Sequence, residues 1–258
     1  MSKATAAPQK EQKKETRLEG LASVCSTVVI AFFVLTFIFQ NFAIPSASMA
    51  STLLVGDHVL VERASLAPST SWAPFIPYRD VRRGEPIVFY KPVLEPDGQQ
   101  LILVKRAIGV PGDRIHLRHG IVYLNGVAQN EPMAAKITSA NYDPYRDDFP
   151  SMPSANVPGV TAEWSLDFPT HIQGEDLVVP PDSFFVMGDN RPNSLDGRYW
   201  GLVPRANLIG HPLFVYWSFK TPDGQDKTSL AEKTSFTLHQ IIHFFDETRW
   251  NRTFKAVN

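Results

Sequence analysis

Between Leu21 and Phe42 the chain consists almost entirely of Leu, Val, Ile, Ala and Phe, interrupted only by Ser23, Cys25, Ser26, Thr27, Thr36, Gln40 and Asn41. A helix rising about 1.5 Å per residue needs about 20 such residues to cross the roughly 30 Å hydrocarbon core of a bilayer. The sequence therefore predicts one transmembrane anchor over residues 21–42. It divides a polar tail, residues 1–20, from a region covering residues 43–258. Lys3, Lys10, Lys13, Lys14 and Arg17 precede the run, and the next Lys or Arg after it is Arg63. That asymmetry predicts a disordered cytoplasmic tail and an exported C-terminal region. Ala43 is placed where a signal peptide could be cut. Signal-peptide cores, however, span only about 7–15 residues, so a retained anchor is favoured.

The region beyond the anchor reads as mainly β. Twenty-one prolines and short apolar runs in 258 residues argue against a helical bundle. Strand patterns occur after Gly56-Asp57 to Val61, over Ile87–Tyr90, Leu101–Val110 and Arg114–Leu124, and again over Phe184–Met187 and Leu213–Trp217. Asn125-Gly126 reads as a hairpin turn. Residues 236–245 suit a short amphipathic helix and residues 249–255 a last strand, while residues 130–176 are polar and loop-rich. The Pro- and Ser-rich stretch 64–78 is expected to be a surface loop, with Trp72, Phe75 and Tyr78 suited to a membrane interface. A net charge of −1 excludes a broad nucleic-acid surface. The single cysteine, Cys25, excludes an intrachain disulfide and reads as a small hydrophobe of the anchor.

The chemistry starts from a serine cluster just past the anchor, in Ile44-Pro-Ser-Ala-Ser-Met49. A serine becomes a nucleophile only beside a base, usually histidine. None of the seven histidines stands in a hydrolase context, and the Gly-x-Ser-x-Gly elbow is absent. His239 and His243 stand at i, i+4, yet Gln240 occupies the glutamate position of His-Glu-x-x-His. No metal site and no cofactor are therefore expected, and no phosphate-binding glycine motif is present. Strand alternation sets Lys105 on one face with Leu101, Leu103 and Ala107, where burial would lower its pKa and suit it to act as a base. The sequence alone does not bring Ser48 and Lys105 together.

Four separated blocks in order resemble the bacterial type I signal peptidases, membrane-anchored Ser/Lys endopeptidases. They are Pro45-Ser-Ala-Ser-Met49 with Thr52-Leu53 and Gly56-Asp57; Arg83-Gly-Glu-Pro-Ile-Val-Phe89; Val104-Lys-Arg-Ala-Ile-Gly-Val-Pro-Gly-Asp113 with Asn125-Gly126; and Gly188-Asp-Asn-Arg191 with Ser194, Asp196, Arg198 and 201–204. The resemblance implies Ser48 as nucleophile and Lys105 as general base. Ser46 would assist an oxyanion hole and Ser194 would orient the lysine. Asp189, Asn190, Asp196 and Arg198 would brace the loop. Ile44, Pro45, Met49, Leu53 and Val104 would line shallow pockets for the small residues of an Ala-x-Ala cleavage site. The chain departs from the family pattern at Ala50-Ser51, at Glu85-Pro86, and at Gly197, where a serine is usual and a looser Ser194 loop is expected.

The implied architecture is an antiparallel β-sheet catalytic core of residues 44–62, 83–110 and 184–220 plus the C-terminal strand. A loop-rich β subdomain, residues 111–183, is inserted into it. The implied activity is removal of signal peptides from exported preproteins at the outer face of the cytoplasmic membrane. The bilayer and the secretion translocon would be its partners, and no nucleic acid is expected. Two alternatives remain at this point: a Ser/Lys protease specialised for pilus or conjugation proteins, and a non-catalytic anchored β scaffold.

Overall fold

The computed structural model describes residues 17–67, 78–151, 157–222 and 229–257. Its N-terminal helix begins at Arg17, is regular to Phe33 and closes with a wider π-type turn, Val34–Ile38. Leu18–Ile38 has a mean hydropathy of 2.5, and none of its apolar window is buried. Val29 and Phe32 are 66% and 67% exposed, which suits a helix solvated by lipid far better than one in water.

The helix ends four residues before the apolar run does. Phe39–Ala43 (β1) leaves it in extended conformation and pairs antiparallel with Asp57–Glu62 (β2) from Phe39↔Glu62 to Ala43↔His58. Apolar composition cannot separate the last turn of a helix from the first strand of a sheet; here the free edge of β2 decides. Ser48 is thus joined to the helix through a paired strand and not through a free tether.

The main sheet has eight strands. Pro86–Tyr90 (β3), Ile102–Gly109 (β4), Ser183–Met187 (β10), Val203–Pro204 (β11) and Leu208–Ser218 (β12) join β1 and β2 in the order β1-β2-β12-β3-β4-β10-β11, and Lys255–Ala256 (β13) pairs with β12. β12 is twice as long as its apolar pattern predicts, because Gly210 and Pro212 disguise its first half. Gly210 lies where a Cβ would meet the Glu62 carbonyl oxygen at 2.0 Å.

A second sheet takes all its strands from residues 114–178. Arg114–Arg118 (β5), Ile121–Leu124 (β6), Val127–Ala128 (β7), Ile172–Gln173 (β8) and Asp176–Val178 (β9) lie in the order β7-β6-β5-β9-β8. Asn125-Gly126 makes the expected hairpin turn, between β6 and β7, and a second turn at His119-Gly120 divides the expected strand 114–124 into β5 and β6. Both dipeptides adopt positive φ, as two-residue hairpin turns require. The described residues of 130–171 are irregular apart from short helical turns such as Pro144–Asp147 and Ala162–Asp167.

Strand β10 joins the two sheets by its period of two. Phe185 and Met187 pack with Ile115, Leu117, Leu177 and Trp164 of the second unit, whereas Phe184 and Val186 pack with Ile87 and Phe89 of the main sheet and with Trp200. A third cluster, Ile44, Met49, Leu53, Val59, Val61 and Val215, lies under the serine-bearing loop.

The C-terminal segment differs from its expected form. Leu230–Ile242 is a helix opened by a Ser229/Glu232 capping box, and Phe244–Glu247 a further turn. The expected strand over 249–255 shrinks to β13, because Trp250–Arg252 forms a helical turn held by Arg252. Trp72, Phe75 and most of the tail 1–20 lie outside the described residues.

Candidate active site

The serine cluster is held between β1 and β2. The Ile44 N–H donates to the Asp57 carbonyl at 2.8 Å and the Gly56 N–H returns to Ile44 at 3.0 Å, closing residues 45–55 into a loop. Gly56 has φ +83, and a Cβ there would strike the Phe219 carbonyl oxygen at 2.1 Å, so only glycine makes this turn. Within the loop, Ala47–Met49 forms one 3₁₀ turn that buries Met49 and leaves Ser48 at the rim.

The loop is anchored on its C-terminal side by Asp57, which is fully buried. Its carboxylate accepts from Ser218 Oγ at 2.6 Å, Leu54 N–H at 2.8 Å, Arg252 Nε at 3.0 Å and Arg252 Nη2 at 2.5 Å. Arg252 also donates to the Thr52 carbonyl at 2.9 Å, and Arg249 to those of Val55 and Phe219. Sequence reasoning assigns no role to Arg249 or Arg252, and no local pattern marks them, since they act across about 200 residues of chain.

On the other side, residues 188–190 are stitched to the same loop. Asn190 N–H donates to the Ser48 carbonyl and Asn190 Nδ2 to that of Ala47, both at 3.0 Å. Arg106 forms a bidentate pair with Asp189, 2.7 Å for each bond, with both side chains inaccessible to solvent. Thr52 Oγ1 completes the cluster by donating to Asp189 at 2.5 Å. Gly188 sits where a Cβ would meet Ser194 Oγ at 2.3 Å and the Ser48 carbonyl at 2.5 Å, so nothing larger than glycine fits between those serines.

Lys105 follows from this frame. It is adjacent to Arg106 on β4, is 3% exposed, and donates from Nζ to Ser48 Oγ at 2.5 Å. Burial lowers its pKa from 10.5 to about 8; Asp196 and Asp189 oppose the shift, and the Arg198 cation adds to it. Holding the amine there disfavours the ammonium by roughly 3 kcal/mol and leaves about a tenth of it neutral at pH 7. Asp196 is braced in turn. Burial alone would raise it, but Arg198 at 2.7–2.8 Å and the Gly188 N–H at 3.0 Å keep its carboxyl below the usual range.

Among the other expected site residues, Ser46 Oγ lies 3.4 Å from Ser48 Oγ. Ser194 Oγ is buried against Gly188 and makes no hydrogen bond among the described residues. The residues after it are not loose: Gly197–Trp200 forms a helical turn capped by Asp196. Ile44, Pro45, Met49 and Val104 line a cleft of about 40 Å³ beside Ser48 and Lys105, together with Phe42 and Ile102. Its walls are mostly apolar, which suits it to small apolar groups. Leu53 lies beneath it, fully buried in the core. A larger cleft of about 650 Å³, lined by Trp164, Trp200 and His171, brings no lysine to a serine.

A buried lysine amine thus meets a serine hydroxyl at the mouth of an apolar cleft. The family profile described as "Signal peptidase, peptidase S26" matches residues 17–217. The chain belongs to the S26 signal peptidase family. Signal peptidase I of Leptolyngbya laminosa is 32% identical over 203 residues, covering 78% of this chain and 79% of that protein. Signal peptidase I of Bacillus caldolyticus is 30% identical over 215 residues, 82% of this chain and 96% of that one. A solved signal peptidase I from Enterococcus faecalis V583 is 28% identical and covers 52% of this chain and 97% of its own, with a TM-score of 0.32. The family match agrees with the four sequence blocks and with a mainly β fold behind an apolar N-terminal helix. It stops at residue 217, before the segment that supplies Arg249 and Arg252.

Proposed function

We propose that this S26 family member is a membrane-anchored serine endopeptidase that removes signal peptides from exported preproteins through a Ser48/Lys105 dyad. The observation that carries the reading is the 2.5 Å contact between Lys105 Nζ and Ser48 Oγ, made by an amine whose burial holds it near 8. In the first step Ser48 Oγ attacks the scissile carbonyl carbon while neutral Lys105 takes the hydroxyl proton. The tetrahedral oxyanion is met by the Ser48 N–H and the Ser46 hydroxyl. Collapse breaks the C–N bond, and Lys105 passes its proton to the leaving amine. A water deprotonated by the same amine then hydrolyses the Ser48 ester and restores both groups. Ser194, buried beside Gly188, is the residue assigned to orient the lysine.

The small apolar cleft beside Ser48 and Lys105 supports small residues before the cut, the Ala-x-Ala pattern. The basic residues ahead of the helix support a cytoplasmic N-terminus and a catalytic region, residues 43–258, on the outer face of the cytoplasmic membrane. There the bilayer, and the translocon that delivers preproteins, would be within reach. The main sheet serves as the catalytic core and residues 111–183 as an inserted unit bracing β10. The direct test incubates the full chain in detergent with a preprotein whose signal ends in Ala-x-Ala and identifies the new N-terminus by mass spectrometry. Cleavage after the second Ala is expected. An intact preprotein, or cuts scattered along it, would contradict the reading.

A further inference from the structure

The segment beyond the family match carries a second cluster of reactive side chains. His239 and His243 occupy one face of the last turns of helix Leu230–Ile242, with ring centroids 4.4 Å apart. The helix stops at His243, whose φ −100 and ψ 20 break the repeat, and the turn Phe244–Glu247 folds two carboxylates back on the rings. His239 Nε2 meets Glu247 Oε2 at 3.0 Å, and His243 Nδ1 meets Asp246 Oδ2 at 2.9 Å. Ligand atoms of His243, Asp246 and Glu247 all lie within 4.8 Å of one another, and His239 joins them through Glu247.

We infer that His243, Asp246 and Glu247 form a binding site for a divalent transition-metal ion of the zinc type, which His239, bonded to Glu247, completes by a shift of its side chain. A tetrahedral zinc ion with bonds of about 2.0–2.2 Å separates its ligand atoms by roughly 3.3 Å. The two His–carboxylate contacts are already close to that spacing. Two neutral imidazoles and two carboxylates balance the charge of a dication. The imidazoles also select against magnesium and calcium, which prefer all-oxygen shells.

The site is preorganised by contacts of its ligand residues with their surroundings. The His239 ring stacks on Phe236 and stands edge-on to Phe219, which is fully buried. Glu247 is pinned through its carbonyl, which accepts from the Lys220 N–H at 3.2 Å, and through the Phe219↔Thr248 bridge beside it. An ion there would tie the C-terminal helix to the turn leading into Arg249 and Arg252, the residues that grip the serine-bearing loop. Its role is that of a structural staple, with no part in peptide-bond chemistry.

The test uses the untagged full chain in detergent, titrated with zinc and separately with magnesium by calorimetry and by thermal melting. Zinc is expected to bind with a stoichiometry near one per chain and to raise Tm, while magnesium does neither. His243→Ala and Glu247→Gln, both partly exposed, should each weaken zinc binding about tenfold or more, with preprotein cleavage unchanged as evidence of correct folding. Zinc binding no stronger than magnesium binding, or equal zinc affinity in wild type and both variants, would overturn the proposal.

Discussion

Arg106 and Asp189 form a bidentate ion pair from which solvent is excluded on both sides, and through it β4 and the 188–190 loop are held as one piece. Lys105 is the residue before Arg106, and Asn190, the residue after Asp189, holds the Ser48 carbonyl. The pair therefore sets the distance between the two groups of the dyad. Removing one partner of such a pair leaves an uncompensated buried charge, at a cost of about 3–5 kcal/mol. Asp189→Asn should lose stability on that scale in denaturant unfolding and lose activity even where it remains folded. Stability within about 1 kcal/mol of wild type would show that the pair does not carry this load.

Gly188→Ala tests the same frame by steric means. The new methyl would overlap Ser194 Oγ and the Ser48 carbonyl at 2.3 and 2.5 Å, so the serine loop must shift. A displacement of about 1 Å in a reacting group can cost about 100-fold in rate. A comparable fall in kcat is expected, with KM changed much less. Wild-type kcat in this variant would contradict the packing.

Lys105 links stability to pH with a definite sign. Its folded pKa, about 8, lies below its value of 10.5 in the unfolded chain, so the unfolded chain holds more protons between those values. Stability should therefore rise as pH increases from about 8 to 10.5, and the burial penalty is present in full below 8. Lys105→Met removes the buried amine and should stabilise the protein at pH 7 by up to about 3 kcal/mol while abolishing activity. Thermal melts of the two proteins at pH 7 check this; a lower Tm for Lys105→Met would count against it.

The same pKa governs the rate. With the neutral amine as base, as proposed, kcat/KM should climb about tenfold per pH unit below 8 and level off above it. A profile that is flat from about pH 6 to 10 would exclude a lysine base titrating at about 8.

The parts of this arrangement that are legible in the sequence are those written in local patterns. The anchor is a composition signal and β4 an alternation signal, and Gly56-Asp57 is a turn written in two residues. Lys105 stands out because an amine on an apolar face must be accommodated somehow. The end of the anchor is not legible, because Phe39–Ala43 is as apolar in a strand as in a helix. The first half of β12 is hidden by Gly210 and Pro212. Arg106 could be found, as a second charge in an apolar strand. Arg252 could not: its partners are Asp57 and Thr52, and its own neighbourhood reads as a plain strand.

The most direct measurement is kcat/KM for a preprotein ending its signal in Ala-x-Ala, taken for wild type, Ser48→Ala and Lys105→Met at about pH 8–9. The account predicts that each substitution removes activity by several orders of magnitude, and that the double variant is no worse than either single one, because the two groups act as a unit. Cleavage by Ser48→Ala or Lys105→Met at the wild-type rate would contradict the Ser48/Lys105 dyad.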